Sequence, residues 1–475
     1  MTALPPGPRA PAPITTAQFA RRPLDALRGW HRRYGDVFTV RYLGFGTGVY
    51  VADPDAIREL LTGDQSDLLA GEANSILEPV VGSHSVLVLD GPEHLRQRKL
   101  LLPPFQGSHV AAFRSTIREV AEREVDRWRP GDRLVVRERM RALTFEVICR
   151  AVFGVTDPER VERLRAALVA VIDTSSILMA VPLVRTDLGR FSPGGRLARR
   201  LRAADALLYE EIARRRAEPD LSARTDVLSL LLQARDEDGR GMSDAELRDE
   251  LFTMLAAGHE TTATGLAFAI ELLLRHPAAL ARLREAIAGG DDAYLDAVGK
   301  ETLRLRPVID AAERTLTKPR TVAGWELPPG VKVYPAIALV HYRPDLYPEP
   351  DVFRPERFVD DGAESYSWLP FGGGIRRCIG AALAQAEMSE VLRVVAARAE
   401  LAPERADPEP VVLRGITLVP KHGVPVRVVG RRGPSPSSST ATHRPDAAVS
   451  PATTAIAPPN PSASAATPAT RPPST

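Results

Sequence analysis

Residues 371–380 read Phe371-Gly372-Gly373-Gly374-Ile375-Arg376-Arg377-Cys378-Ile379-Gly380. Three glycines and two arginines lead to one thiol, and the only other cysteine, Cys149, lies far away in sequence. A lone cysteine is most often a small buried core residue. Here the surroundings favour a metal ligand instead, because only the thiolate binds metal and nearby positive charge favours the thiolate.

A helix is predicted directly after this thiol. Residues 379–395 are rich in helix formers and carry apolar side chains at helical spacing. Cys378 would then stand at a helix N-terminus, whose unpaired N–H groups attract a negative sulfur. The glycines would let the backbone pass close to a large flat ligand, where a Cβ would clash. Phe371 would cover the sulfur side of that ligand.

The motif F-x-x-G-x-R-x-C-x-G resembles the haem-binding signature of the cytochrome P-450 superfamily of haem-thiolate monooxygenases. The resemblance implies a mainly α fold with small β-sheets (α+β), in which haem b lies between a long central helix and the cysteine loop of a triangular-prism helical domain. Cys378 would be the axial ligand of the haem iron, and Phe371 and Gly372 would contact the cofactor.

Composition narrows the class of protein. The chain has 475 residues and a net charge of +2 at pH 7, which gives no reason to expect a nucleic-acid partner. Two cysteines cannot build a disulfide framework or a four-thiolate iron–sulfur cluster, and they fit a reducing compartment. Neither a signal-peptide pattern nor about 18 uncharged apolar residues in a row is present. We therefore expect a cytoplasmic monomer of bacterial type without a membrane anchor.

Three regions are predicted along the chain. Residues 1–23 form a Pro-rich segment, residues 24–430 the catalytic domain, and residues 431–475 a disordered tail, whose Pro, Ser, Thr and Ala cannot bury enough surface to offset the ordering entropy. A flexible tether for a partner is the alternative for the tail. Cys149 stands among periodic apolar residues and is predicted to be core. Strands are predicted at 37–42, 48–51, 331–334 and 423–428, and helices at 111–128, 141–153, 158–172, 196–217 and 226–234.

The longest predicted helix begins at a capping box, Ser243 with Glu246, and continues to about residue 275. Its centre includes Gly258, Glu260 and Thr261, which conflict with a buried helix, and such conflicts often mark functional sites. A polar solvent face is the alternative. The segment Ala-Gly-His-Glu-Thr-Thr is similar to the oxygen-binding helix of the P-450 family. That resemblance implies that Gly258 leaves room for O₂, Thr261 donates a hydrogen bond to bound oxygen, and Glu260 relays protons.

Two further groups of residues match the family. Glu301 and Arg304 resemble its E-x-x-R helix, and Arg357 its P-x-R-F segment; the resemblance implies a buried three-way ion network that holds the cysteine loop. Haem propionates need cationic donors. Any single basic residue is more often a solvated one. The positions that match the family nevertheless make four residues the predicted propionate ligands: His94, Arg98, Arg314 and Arg376.

Together these motifs imply a monooxygenase that inserts one atom of O₂ into a hydrophobic organic substrate. Two electrons must come from outside, because no flavin or dinucleotide fingerprint follows a strand. A ferredoxin and an NAD(P)H-dependent ferredoxin reductase are the implied partners. Arg96, Lys99 and Arg377 are candidates for a basic docking patch, with ordinary charged surface as the alternative. The rival functions are a peroxygenase or isomerase that uses the same haem, and a haem-based sensor without turnover; the Glu260–Thr261 pair argues against both.

The substrate lining is predicted in segments 68–86, 172–191, 308–312 and 415–418, and at the start of the centre of the long helix. The second segment is notably apolar, which favours a lipid, terpene or polyketide, although core packing would select the same side chains: Ile177, Leu178, Met179, Val181 and Leu183.

Overall fold

The computed structural model describes residues 4–179, 189, 191–359 and 366–432, with side chains described up to residue 174 in the first range. The predicted tail therefore lies outside the described residues from residue 433 onward. So do residues 180–188 and 190 of the segment 172–191 that was expected to line the substrate site.

Helices predominate among the described residues, as predicted. They are α1 Ala12–Arg21, α2 Pro23–Tyr34, α3 Pro54–Thr62, α4 Ala70–Ala73, α5 Glu78–Val81, α6 Gly91–Leu101, α7 Gly107–Val125, α8 Val136–Phe153, α9 Pro158–Met179, α10 Pro193–Arg216, α11 Val227–Gln233, α12 Asp244–Arg275, α13 Pro277–Gly289, α14 Asp292–Leu305, α15 Ile337–Val340 and α16 Ala381–Arg398. No helix of the described ranges combines the length and the apolar character needed to cross a bilayer.

The strands form small sheets. They are β1 Val37–Tyr42, β2 Gly46–Val51, β3 Leu68–Leu69, β4 Arg133–Val135, β5 Arg314–Leu316, β6 Arg320–Val322, β7 Trp325–Leu327, β8 Lys332–Pro335, β9 Ala399–Pro403, β10 Val411–Arg414, β11 Thr417–Pro420 and β12 Pro425–Arg431. The largest sheet has the order β1-β2-β8-β5-β3. The predicted hairpin is its antiparallel β1–β2 pair, and β2 and β8 are parallel. The pairing of Arg314 with Val333 fixes the start of β5 inside this sheet.

Helix α12 forms the centre of the helical part. The Ser243 hydroxyl accepts the Glu246 N–H at 3.2 Å, and the Glu246 carboxylate accepts the Ser243 N–H at 2.7 Å, so the predicted capping box is present. Residues 247–253 and 262–273 are buried. Helices α8, α14 and α16 pack against α12, and a Cβ at Gly265 would lie 3.5 Å from Sδ of Met388 in α16. Gly265 therefore lets α16, the helix that follows the cysteine loop, approach the central helix closely.

The ends of several elements differ from the sequence prediction. The Pro-rich N-terminus is not a separate segment, because the carbonyls of Pro5 and Pro6 accept hydrogen bonds from Thr39 of β1, and α1 follows. Helix α8 begins at Val136, earlier than the predicted start at residue 141. The prediction missed its first turns because the charged residues there have buried partners in other elements, which hydrophobic periodicity along the sequence cannot reveal. Strand β12 continues to Arg431, so the domain extends past residue 430.

Candidate functional site

The cysteine loop is a tight turn that packs on α3. The Cys378 N–H donates to the Phe371 carbonyl at 2.9 Å, and Gly372 and Gly374 have φ of 66° and 61°, a region that favours glycine. A Cβ at Gly374 would lie 1.9 Å from the Leu61 carbonyl oxygen, whereas one at Gly372 would meet nothing within 4 Å. The glycines therefore serve the turn and its contact with α3. We expected them to make room for a ligand, and for Gly374 that explanation is wrong.

The Cys378 thiol lies in a recess. The residue is exposed, yet protein atoms surround the sulfur closely enough that burial raises its pKa. A hydrogen bond from the Gly380 N–H and the charges of Arg98 and Arg377 act in the opposite direction. Helix α16 begins only at Ala381, with Gly380 as its N-cap, so the thiol precedes the helix rather than starting it. A bound metal ion would deprotonate such a thiol, because the ligand is the thiolate.

Four cationic positions converge beside this loop. Burial first, and then the charges of Arg376, Arg98 and Arg314, lower the pKa of His94 to about 3. Burial also lowers the pKa of Arg314 and of Arg376 to about 10, which the charge of Asp90 partly offsets. We call these four side chains, with Asp90, the cation cluster. Three guanidinium groups against one carboxylate leave the cluster positive.

The cluster fits a dianionic ligand. Arg314 is buried, and its Nε has no hydrogen-bond partner among the described residues. The Asp90 carboxylate is already occupied, because it accepts the N–H groups of Ala70, Gly71 and Glu72 at 2.8 to 3.0 Å. Buried cations require a charged partner, and the two propionates of a haem would supply one. The residues present therefore fit haem.

Arg376 has a second task that the sequence did not reveal. Its guanidinium donates to the Leu89 carbonyl at 2.6 Å, to the Val86 carbonyl at 3.2 Å and to the Asp90 carboxylate at 2.5 Å. Most of its donors are thus engaged by residues 86–90. The guanidinium of Arg314 has fewer hydrogen-bond partners than that of Arg376. Of the four predicted propionate ligands, Arg314 had the weakest sequence match.

The predicted ion network is present, and its Glu301–Arg304 pair is fully buried, whereas Arg357 is half-buried. Glu301 binds Arg304 through two bonds of 2.7 and 2.8 Å, and both side chains are 0 % exposed. Arg357 Nε lies 3.4 Å from Glu301, which also accepts the Arg354 N–H at 2.8 Å. Phe371 packs edge-on against Trp368, with ring centroids 5.8 Å apart.

His341 joins this network to the cysteine loop, and sequence reasoning missed it. Its carbonyl accepts a hydrogen bond from Arg304 at 2.8 Å, and its Nε2 accepts the Leu369 N–H at 2.8 Å, two residues before Phe371. Burial and then the charge of Arg304 lower the pKa of His341 to about 3, so the ring is neutral and can accept. No local motif marks this residue, because both partners are distant in sequence.

A recess also opens at the centre of α12. Ala257 is exposed and Thr261 half-buried, although the flanking stretches of the helix are buried. The Thr261 hydroxyl donates to the Ala257 carbonyl one turn back at 2.5 Å. Gly258 was predicted to face this recess, but it faces α8 instead. A Cβ there would lie 2.8 Å from Cδ1 of Ile148. The glycine lets α12 approach α8 closely, and Ala257 is the small residue on the open side.

Glu260 is held by two arginines of α8. Arg137 donates to its Oε1, and Arg141 Nε lies 2.7 Å from its Oε2. The Arg141 N–H is poorly aligned, so Oε2 accepts no hydrogen bond from the described residues. Burial and then the charges of Arg414 and Arg141 lower the pKa of Arg137 to about 10. Both arginines were missed as partners of Glu260: Arg137 lies in the first turn of α8, before the predicted helix, and Arg141, its first predicted residue, contacts Glu260 from a distant part of the sequence.

Other predicted positions have different surroundings. Arg96 forms ion pairs with Asp236 and Glu246 at 2.7 and 2.6 Å, and Lys99 pairs with Glu237 at 2.6 Å. Two members of the proposed basic docking patch thus have acidic partners; Lys99 and Arg377 are exposed, and Arg96 is half-buried. Cys149 is 0 % exposed in α8, as predicted, and burial raises its pKa strongly.

Comparison with known proteins agrees with this geometry. The family model described as cytochrome P-450 matches residues 5–424. The chain is 44 % identical over 441 residues to cytochrome P-450 135B1 of Mycobacterium tuberculosis, covering 92 % of this chain and 93 % of that protein. It is 41 % identical over 434 residues to cytochrome P-450 135A1 of the same organism, covering 91 % and 96 %.

Solved structures show the same fold. The haem domain of cytochrome P-450DA superposes with a TM-score of 0.81 at 24 % identity, covering 91 % of this chain and 98 % of that one. The retinoic-acid-bound cyanobacterial CYP120A1 gives a TM-score of 0.78 at 24 % identity, covering 90 % and 99 %. The mainly α fold with small sheets is thereby confirmed. The chain belongs to the cytochrome P-450 family and is an oxidoreductase of the monooxygenase class.

Proposed function

We propose that this enzyme holds haem b through Cys378 and uses O₂ and two external electrons to oxygenate a hydrophobic organic substrate. The observation that carries the proposal is the positive, buried cation cluster beside an exposed thiol. A protein without an anionic cofactor at this place would lose stability by burying these charges.

Each residue has a proposed part in holding the cofactor. Arg314, Arg98 and His94 would donate to the propionates, and Arg376 would assist through the second N–H of its Nη1, since its Nε donates to Gln65 and its other N–H groups to residues 86–90. Phe371 would pack beside the sulfur. The Glu301–Arg304–Arg357 network would fix the cysteine loop, since Arg304 and Glu301 bind carbonyl and N–H groups of the chain between residues 341 and 354.

Haem, when bound, supplies the iron that binds and activates O₂, with the thiolate donating electron density to it. Thr261 would turn its hydroxyl from the Ala257 carbonyl toward the reacting oxygen. Glu260 would relay protons from solvent through its Oε2, which accepts no aligned hydrogen bond from the described residues although Arg141 Nε lies 2.7 Å away. Arg137 and Arg141 would hold this carboxylate in place, because Arg137 donates to its Oε1 and Arg141 Nε lies 2.7 Å from its Oε2.

The redox partner is proposed to dock beside the cysteine loop. Leu95 and Ile375 are exposed apolar side chains at 38 % and 39 %, and Arg377 is exposed between Ile375 and the thiol. A small patch with apolar residues and one cation suits a transient complex with an acidic ferredoxin, which an NAD(P)H-dependent reductase would reduce. The free thiols fit a cytoplasmic location, and a monomer is the proposed state.

The test is product formation with purified, haem-loaded enzyme, a surrogate ferredoxin and reductase, NADPH and a panel of apolar compounds. We expect a substrate that shifts the Soret band and yields a product carrying one ¹⁸O atom from ¹⁸O₂. Turnover with peroxide alone would indicate a peroxygenase. Product without oxygen from O₂ would indicate an isomerase, and ligand binding without any turnover would indicate a sensor.

A further inference from the structure

His259 directly precedes Glu260 in α12, and its imidazole is buried against α8, with only 1 % of the residue exposed. The Nδ1 atom lies 2.8 Å from the Leu255 carbonyl oxygen, one turn back along the helix. A carbonyl oxygen can only accept a hydrogen bond, so Nδ1 carries the proton of the neutral ring. Nε2 is then an acceptor.

Contacts with α8 fix the orientation of this imidazole. Its ring meets the Phe145 ring almost edge-on, with an interplanar angle of 87° and centroids 5.7 Å apart. The His259 carbonyl accepts the hydroxyl of Thr144, itself fully buried, at 2.9 Å. The ring and the backbone of His259 are thus held by the same neighbouring helix, so packing sets the direction in which Nε2 points.

The surroundings of His259 keep its ring neutral. Burial lowers the pKa of His259 to about 4, although the hydrogen bond to Leu255 acts in the opposite direction. Among the charged groups that act on the ring, Arg141 and Arg137 of α8 lower the pKa further, and Asp173 of α9 raises it. At neutral pH, Nε2 therefore presents a lone pair.

Three polar atoms meet beside this lone pair without a good hydrogen bond. Among the described residues, Nε2 of His259, Oε2 of Glu260 and Nε of Arg141 are all buried and have no hydrogen-bond partner. Oε2 lies 3.9 Å from Nε2 and 2.7 Å from the poorly aligned Nε of Arg141. A buried acceptor that lacks a donor costs free energy. Nε2 and Oε2 are both acceptors, so they cannot satisfy each other until one of them carries a proton.

A proton on Oε2 of Glu260 would supply the missing donor. The carboxylic acid could then donate to Nε2 of His259, which has no other partner among the described residues. The gap of 3.9 Å is about 1 Å longer than a hydrogen bond. A turn of the carboxyl group, or one bridging water, would close it.

We propose that His259 is a positioning residue for proton transfer: its Nε2 accepts the hydrogen bond of the protonated Glu260 side chain and holds that acid in place until the proton moves on. The inference rests on the proposed function, because it requires that Glu260 carries protons. In this role the imidazole itself stays neutral, and the proton remains on Glu260.

Infrared spectra of the resting enzyme test this hydrogen bond without turnover. On acidification, the C=O stretching band of protonated Glu260 is the band that Glu260→Gln lacks. We expect this band to move to higher wavenumber in His259→Phe, which keeps an aromatic ring but removes the acceptor. It should return toward the wild-type position in His259→Gln, whose amide oxygen can accept. His259→Leu is a second variant without an acceptor, for use if His259→Phe does not fold.

His276→Phe is the matched control. The Nδ1 atom of His276 lies 2.7 Å from the Leu272 carbonyl, with the same spacing of four residues, and its ring packs against Phe353. It lies 16 positions beyond Glu260, or about 24 Å along the helix. We expect the oxygenation rate to fall about tenfold in His259→Phe, since one hydrogen bond contributes about that factor. The rate should recover in His259→Gln and stay unchanged in His276→Phe.

An unmoved band in His259→Phe, or a wild-type spectrum without any band of protonated Glu260, would overturn the proposal. Equal losses of activity in His259→Phe, His259→Gln and His276→Phe would also overturn it, because packing alone would then explain them. Wild-type oxygenation by Glu260→Gln would instead refute the proposed proton relay itself, and with it this role of His259.

Discussion

Replacing Glu301 should destabilise the domain more than almost any other single change to a charged residue. In Glu301→Ala the buried Arg304 keeps its bonds to the carbonyls of His341, Pro350 and Val352 but loses its counter-charge. Removing one partner of a buried ion pair costs about 3–5 kcal/mol. Native domains are stable by only about 5–15 kcal/mol, so we also expect the variant to retain little haem.

A double-mutant cycle separates the ion pair from packing. Arg304→Met should cost about 3–5 kcal/mol for the same reason. The double variant removes both fully buried charges, and Arg357, which also loses Glu301, is only half-buried. Three carbonyls lose a donor at about 1 kcal/mol each, so its loss should be about 3 kcal/mol. The expected coupling is therefore several kcal/mol.

The assay is equilibrium urea unfolding at pH 7 followed by circular dichroism, with the Soret-to-280 nm ratio as the measure of haem content. Glu162→Ala is a matched control, because Glu162 binds Arg165 with the same i, i+3 spacing at 2.6 and 2.7 Å on an exposed surface. Such surface pairs contribute about 0–1 kcal/mol. If Glu301→Ala lost no more stability than Glu162→Ala, the network would not be a clamp.

Three other predictions concern the loop, the central helix and pH. Gly374→Ala should cost several kcal/mol and lower haem content, because its Cβ would overlap the Leu61 carbonyl, whereas Gly372→Ala, with a similar positive φ in open space, should cost only about 1–2 kcal/mol; equal losses by urea unfolding would contradict the packing argument. Thr261→Ala should release several-fold more hydrogen peroxide per NADPH consumed, while Thr62→Ala, which removes the same hydroxyl-to-carbonyl bond at an exposed position at the end of α3, should not; unchanged coupling in Thr261→Ala would exclude the assigned role. His341 has a folded-state pKa of about 3 against about 6.5 in the unfolded chain, so the unfolded state binds the extra proton and this contribution to stability is lost as the pH falls below 6.5. Between pH 7 and pH 5.5 wild type should lose about 1 kcal/mol more unfolding free energy than His341→Asn, and parallel pH dependence in the two proteins would show that His341 does not titrate this way.

The sequence identified the parts of the site that local patterns encode. The capping box before α12, the Glu301–Arg304 spacing and the glycine-rich loop are each contained within a few residues, so their chemistry can be read without tertiary structure. Cys149 was recognisable as core because its neighbours repeat with helical period.

The remaining features depend on contacts between distant segments. Arg137 and Arg141 reach Glu260 from another helix, and His341 links Arg304 to Leu369; no local spacing predicts such partners. Gly258 and Gly374 were correctly seen as unusual, but the surface that each approaches, Ile148 in one case and Leu61 in the other, became evident only from packing. Surface charge was misjudged for the same reason, since Arg96 and Lys99 pair with acids about 140 positions away.

The central claim is that Cys378 ligates the haem iron as a thiolate. Iron K-edge X-ray absorption of the purified ferric enzyme tests it most directly, because sulfur and nitrogen neighbours scatter differently. We predict one sulfur neighbour in wild type and in a Cys149→Ala control, and none in Cys378→His, which should also lack oxygenase activity. A wild-type spectrum without sulfur, or sulfur ligation that persists in Cys378→His, would contradict the assignment.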